Sequence, residues 1–567
     1  MRLSMRTRSL QSISLVLTAS VLAPPSLGQS ALLREGDPDP SGVVGQTIEN
    51  IGEVSINQSG GFGVSYQTEG TSGDVSGFWG SLTAGPGGVL REQSTAGTFD
   101  QTGLDESFGM SASGLAYVAQ VVPLGGGSNE ESIWLDGTVV SVASDPLPSS
   151  TLVWSFFTNA GVTEGGTPYF VAGLDDAQGG NAGRGLFTGT TPTAMFQTGD
   201  VVPGLPFPLS VSAVDFNFDF SANGTHVMSE VDMDSPSAAN DRALTIDGSG
   251  LFLGGSLVHE DSPVPASIGG LPGESWDNFD AYAITDAGDY MFTGDTNGNV
   301  NTDEFIARNG MIWRREGDVI DGEVVSGDID GATLSEGGNI AYIWEIATGG
   351  TTAEALFYET SLLLQEGDPV DWDGDGVIDA NTSIEDFIGL GSDGMALTNS
   401  GTLYFLAEVN VNGVLLVGYL EMQVALDVSR FCSPAVPNTT GVPGTINAVG
   451  SIVATDNDLI LVASDLPNGE FAYFLASRFP GFIANPNGSQ GNLCVIGNIA
   501  RFNAQVGQVM GGSVSITVDL TDIPEPPTFS ATAMAGETWN FQCWHRDFIL
   551  GQGPTSNFTD AIAITFQ

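Results

Sequence analysis

The chain contains no lysine. Its 14 basic residues are all arginine, and it has only three histidines and three cysteines in 567 residues. Against them stand 68 acidic residues, for a net charge of −54. Such a surface repels phosphate backbones and anionic lipid, which excludes nucleic acid as a partner and leaves cations as favoured company. The histidines, His226, His259 and His545, are scattered, and no HExxH, GxSxG or P-loop pattern accompanies them, so no local catalytic signature is present. Long apolar runs are also missing after the N-terminus. The best stretch, 413–422, is too short to span a bilayer and carries Glu421, so no membrane span is predicted.

The first residues supply a basic segment with Arg2, Arg6 and Arg8, an apolar stretch over 10–23, and the small residues Ser26 and Gly28 before Gln29. This is the layout of a secretory signal over 1–28. Its removal would take the net charge to −57 and place the mature protein outside the cytoplasm, secreted or at the cell surface. Export permits a disulfide, and three cysteines allow one bond and one spare thiol, with all three pairings open on spacing alone. No CxxC or HxxxH spacing suggests zinc.

What is abundant is glycine, 77 residues, and it recurs in register. A small or polar residue followed three places later by glycine begins at Asn57, Ser111, Thr163, Ser221, Thr285, Ser335 and Thr398. The glycines, from Gly60 to Gly401, are 54, 52, 58, 64, 50 and 63 residues apart, a period in the range of propellers and solenoids. Each repeat reads as about four short strands with the glycine in the first hairpin, where positive φ is wanted. In the fifth copy these strands fall at 281–285, 290–293, 304–308 and 311–315.

A second pattern, of which Leu33-Arg-Glu-Gly-Asp37, Phe196-Gln-Thr-Gly-Asp200 and Leu364-Gln-Glu-Gly-Asp368 are the clearest copies, also occurs seven times but out of phase. One copy precedes the first glycine turn and none follows the last. The final repeat therefore lacks a fourth strand, and residues 31–35 can supply it. That offset predicts a ring closed by its own N-terminal strand, which removes the free sheet edge. The expected architecture is all-β: a seven-bladed β-propeller over 29–424 followed by a β-sandwich over 425–567.

On these residues the region 29–424 resembles the NxxGxxAF tandem-repeat proteins, secreted bacterial chains, with Asn57 supplying the asparagine and Ala341-Tyr342 close to the final Ala-Phe. The resemblance implies an extracellular repeat scaffold and transfers no catalytic residue. In the C-terminal part, strand-like runs at 459–464, 471–475, 513–520, 539–544 and 561–566 are bounded by Pro, Gly and Asn. The stretch from Phe431-Cys-Ser-Pro434 through Gly488-Ser-Gln-Gly-Asn-Leu-Cys494 to Trp539-Asn-Phe-Gln-Cys-Trp544 resembles a domain recurrent in secreted planctomycete proteins. Because related sequences manage without a cysteine at the place of Cys543, the resemblance implies a Cys432–Cys494 disulfide.

The sharpest local motif is Asp371-Trp-Asp373-Gly-Asp375-Gly376-Val377-Ile-Asp379. It reproduces the start of an EF-hand-type calcium loop, with carboxylates from Asp371, Asp373 and Asp375, the turn glycine, the Val377 carbonyl, and Asp379 acting through water. Thr382 stands where a bidentate carboxylate is usual, so Glu385 or Asp386 would have to substitute. Asp295-Thr-Asn-Gly-Asn-Val-Asn-Thr-Asp303 lacks the glycine at position six and reads as a polar loop. The Glu-Gly-Asp turns would place Glu35, Asp37, Asp200, Asp261, Glu316, Asp318, Glu366 and Asp368 on one rim. Paired carboxylates serve glycosidases, yet Asp and Gly are also ordinary turn formers. The sequence thus reads as a non-catalytic, calcium-stabilised extracellular scaffold that binds an outside ligand such as a glycan or surface protein. The alternative is a polysaccharide-active hydrolase or lyase on a propeller.

Overall fold

The computed structural model describes residues 29–566 apart from short segments, among them 71–74, 124–129, 210–216, 375–377, 425–427 and 510–513. The signal-like segment 1–28 lies outside the described residues. No helix among the described residues is long and apolar enough to cross a membrane.

The chain is all-β and propeller-like, built as a succession of small antiparallel sheets. The first is Gln46–Ile56, Phe62–Gly70, Val75–Ser81 and Gly88–Glu92, each strand pairing with the next. The same up-and-down order recurs in sheets opened by Phe99–Ser111, Val153–Val162, Asn217–Phe220, Trp276–Ile284 and Glu323–Leu334. Opening strands of most neighbouring sheets touch, and that of the first sheet also meets Met395–Leu397 of the last. Aromatic and aliphatic side chains on both faces of each sheet pack against the adjoining sheets. One such core joins Met228 and Leu244 to Trp276, Phe279, Phe292 and Phe305, all buried.

The last of these sheets is completed from the other end of the chain. Ser30–Arg34 pairs antiparallel with Val414–Gln423, placing Ala31 opposite Leu420 and Leu33 opposite Tyr419. This is the pairing the phase of the two motifs predicted. Glu35 extends it: its amide donates to the Val417 carbonyl and its carboxylate accepts the Val417 amide, both at 2.9 Å.

The glycine turn explains its own consensus. In six copies the glycine lies at φ between +70° and +81° and its amide donates to the carbonyl of the first motif residue. The side-chain oxygen of that first residue accepts an amide at the far side of the turn: Asn57 from Gly61, Thr163 from Thr167, Ser221 from His226, Thr285 from Asp289, Ser335 from Asn339, Thr398 from Thr402. These oxygens are buried, so only a side chain with a short acceptor fits. The second copy departs from the expectation. Ser111 pairs directly with Gly114 in a tighter hairpin, and Gly114 is not at positive φ.

The second motif joins each sheet to the next. Gly36, Ser144, Gly199, Asp261, Gly317 and Gly367 share positive φ, and their amides donate to Ile48, Trp154, Leu209, Trp276, Val325 and Ile384 at the start of the following sheet. The closing aspartate folds back on its own turn: Asp37, Asp200, Asp318 and Asp368 each accept the amide three residues earlier, at 2.9 to 3.1 Å.

Residues 429–565 form separate sheets. A six-stranded one contains Ser429–Phe431, Gly553–Thr565, Thr538–Ile549 and Phe471–Ser477, and a three-stranded one contains Thr445–Gly450, Leu459–Ser464 and Val514–Val518. Their facing side chains, including Ile446, Leu461, Phe474, Trp539 and Phe541, share one buried core. Cys432 is bonded to Cys494, which is fully buried and sits on Asn492–Ile496. Cys543 is a free thiol in the shared core, and burial holds it well above its usual range.

Candidate functional site

The opening strands of the first six sheets and Met395–Leu397 of the last line one cavity of about 280 Å³. Residue types on its wall follow from strand geometry: alternate positions turn inward, and two bulges in most opening strands re-aim side chains along the way. Among the described residues the lining holds Glu53, Glu164, Asp219, Glu336 and Asp393 and no basic side chain.

One end of the cavity is braced by the glycine turns themselves, through the residue after the first motif position. The Glu336 carboxylate accepts the amides of Ala222 and Asp286, both at 2.7 Å. The Gln58 amide donates to Glu164, whose own amide donates to the Ala222 carbonyl at 2.8 Å. Asn399 closes the circuit, donating to Gln58 Oε1 at 2.9 Å and accepting the Gly337 amide at 2.7 Å. The sequence reading missed this role, although a signal was there: the second motif position is Gln, Glu, Asp, Glu or Asn in five of the seven turns.

Asp219 is the carboxyl most altered by the cavity. Burial, with lesser contributions from Glu336 and Asp393, pushes it up to about 7, against the opposing hydrogen bond its Oδ2 accepts from the Ile284 amide at 2.8 Å. Tyr169 stacks on Phe220 at 4.2 Å, and burial and the Asp219 charge hold its phenol well above the usual range. A carboxyl titrating near neutrality in a cleft is chemically able to pass protons.

The 371–379 loop lies beside the closing strand. Ser30 bridges to Asp371, the Ala31 amide donates to the Asp371 carbonyl at 3.1 Å, and Arg34 Nη1 donates to the Trp372 carbonyl at 2.6 Å. Asp371, Asp373 and Asp379 each offer a carboxylate oxygen, all within 4.8 Å of one another, while Asp375 and Val377 lie outside the described residues. Asp371 Oδ1 accepts the Gly374 amide at 2.9 Å, and Asp379 Oδ2 accepts the amides of Trp372 and Asp373. This oxygen-only set suits a hard cation such as calcium. Thr382 is buried with its hydroxyl between the Val370 and Asp379 carbonyls, at 2.8 and 3.0 Å, so its one proton is spent on the loop's base. The two substitutes considered for it lie elsewhere: Glu385 accepts from Ser383 and Asn410, and Asp386 gathers with Glu354 and Glu366.

Of the eight turn carboxylates, Glu316 accepts the Gly327 amide and Glu366 gathers with Glu354 and Asp386. Glu35, Asp37, Asp200, Asp318 and Asp368 are engaged by backbone amides, and Asp261 occupies the positive-φ position that glycine fills elsewhere.

No family model and no curated protein matches the chain. Among solved structures it is similar to the Dos1 propeller, at 8% identity and a TM-score of 0.30 over 70% of this chain and 95% of that one. It is also similar to an exo-β-1,3-galactanase from Phanerochaete chrysosporium, at 11% identity and 0.21 over 71% and 95%. A neuraminidase-like protein of subtype N11 from a flat-faced bat virus aligns at 10% and 0.26 over 70% and 97%. Likenesses of this size carry no argument about the activity of this chain.

Proposed function

We propose that the protein is an exported, non-catalytic repeat scaffold: a seven-bladed β-propeller over 29–424, closed by its N-terminal strand, followed by a β-sandwich over 425–567, presenting loops to an extracellular ligand. The observation that carries this reading is the use made of the repeated polar residues. Most polar positions of both recurrent motifs are used by the frame, the first in capping turns and bracing one end of the cavity, the second in joining neighbouring sheets. Repetition of a frame is what a binding scaffold needs. A glycan array run beside a polysaccharide-degradation panel on the exported protein tests it: binding without turnover supports the scaffold, and release of sugar ends it.

Asp219 favours the second reading, a polysaccharide-active hydrolase or lyase in the cavity. Under that reading Asp219→Asn abolishes turnover at least 100-fold while leaving the melting temperature at pH 8 within a few degrees, the usual weight of general acid–base catalysis being about 10²–10⁴. Under the scaffold reading the same substitution leaves glycan binding unaltered.

Calcium belongs to the proposal at Asp371, Asp373 and Asp379, with Asp375 and the Val377 carbonyl as further ligands. Four like charges in one turn repel, and a divalent ion relieves them. Stability then rises by mass action, by about 2.7 kcal/mol at 100 times the dissociation constant. Calorimetry with and without chelator reads the gain, and Asp371→Asn with Asp373→Asn removes it while leaving the transition of residues 429–565 in place. An equal gain in the double variant rules the loop out.

A further inference from the structure

A second cavity, of about 220 Å³, opens between the first two sheets. Strand register accounts for it. Asn50, Gln67 and Ser76 are cross-strand neighbours on three adjacent strands of the first sheet, and Ser65, two positions from Gln67, shares their face. Opposite Ser65 the opening strand bulges between Ile51 and Val54, and Gly52 brings no side chain into the gap. Leu104, on the opening strand of the next sheet, forms the facing wall. Its amide donates to Ser76 Oγ at 2.7 Å, which ties the two sheets together beside the opening. The Tyr66 ring belongs to the other face, against Gly77 and in the core with Val64 and Tyr404.

Among the described residues the lining holds no charged side chain, in a chain with 68 acidic and 14 basic residues. Neither a cation nor an anion finds a counter-charge in it. Ser65 is 3% exposed, and its Oγ has no hydrogen-bond partner. A buried hydroxyl left unpaired is costly, so a group that donates or accepts belongs beside it. Asn50 and Gln67 are exposed at the mouth and offer amides that do both, and Ser76, having accepted the Leu104 amide, keeps a proton to donate. Such a set matches a polyol, whose hydroxyls donate and accept in turn. The one apolar side chain, Leu104, suits the C–H face of a ring and is too little for a lipid tail. The volume far exceeds the roughly 10–15 Å³ that a single water needs.

We infer that this cavity is a subsite for one neutral sugar ring, with Ser65 at its floor and Asn50 and Gln67 at its mouth. The inference rests on the scaffold reading and specifies where its glycan ligand is held. The test titrates the full exported chain with methyl glucoside, methyl galactoside and methyl mannoside, by calorimetry and saturation-transfer NMR, beside glucuronate and glucosamine. A neutral glycoside should bind with a dissociation constant on the order of millimolar, as expected for a single ring, and the two charged sugars roughly tenfold more weakly. Ser65→Ala should weaken binding about tenfold, the usual weight of one hydrogen bond, while melting holds or rises because an unpaired hydroxyl is gone. Ser65→Leu fills the cavity and should abolish binding. Silence of all three neutral glycosides means a cavity filled by water alone and overturns the proposal. So does binding that both Ser65 variants leave unchanged, or charged sugars held as tightly as neutral ones. None of these outcomes touches the scaffold reading, which release of sugar in the degradation panel ends.

Discussion

A chain starting at Pro38 should melt on the order of 5 °C below one starting at Gln29. The nine residues removed include the buried Ala31 and Leu33, whose loss exposes Tyr419 and Leu420 on the strand they cover. Burial of a leucine side chain contributes about 1.5–3 kcal/mol. The ladder to Val414–Gln423 and the contacts of Gln29, Ala31 and Arg34 with Pro369, Asp371 and Trp372 vanish with it. A total of about 5 kcal/mol is reasonable, and at about 2.1 cal/mol/K per residue each kcal/mol moves the midpoint by about 1 °C in a unit of about 400 residues. The Val414–Gln423 edge, newly unpaired, should also promote association visible by size-exclusion chromatography. Calorimetry decides the matter: an unchanged midpoint would count against closure of the ring by this strand. Because the same nine residues hold the 371–379 loop, the truncated chain should also respond more weakly to calcium.

Breaking the Cys432–Cys494 bond should act on the other end of the chain. The two cysteines are 62 residues apart, and a loop of that size restricts the unfolded chain by about 4 kcal/mol in the entropy account. The bond ties Asn492–Ile496 to the end of Ser429–Phe431, next to the six-stranded sheet. Cys432→Ser with Cys494→Ser should therefore lower the denaturant midpoint of residues 429–565 and leave the transition of residues 30–423 alone. Cys543 cannot take over, being fully buried in the shared core with its thiol held neutral. Chemical denaturation followed by tryptophan fluorescence reads the difference, and equal midpoints for the two proteins would show that the bond contributes nothing.

Legibility in the sequence varied with how local the cause was. The hairpin strands Tyr290–Thr296 and Met311–Arg315 were readable because alternation and a turn glycine lie within a few residues of each other. The opening strands were not. Trp276–Ile284 starts five residues before the expected 281 because bulges at Trp276/Asn278 and Phe279/Tyr282 break the two-residue period. The acidic loop at 371–379 was visible as a spacing of carboxylates, whereas its place against the closing strand was not, since Ser30 and Asp371 are remote in the chain.

By itself the sequence determined the repeat, its phase, and hence the partner of the N-terminal strand, because a motif that precedes the first turn and is absent after the last leaves one strand to be found. It determined the acidic surface and the spacing of the calcium-type loop for the same reason: composition and short-range order need no fold. The tertiary structure alone decided which carboxylates meet. Glu336 reaching Ala222 and Asp286, and Asp219 facing the cavity, both depend on how successive sheets stack. Residues up to 114 apart are brought within a few ångströms there, and the desolvation that follows, which no local pattern encodes, sets their chemistry.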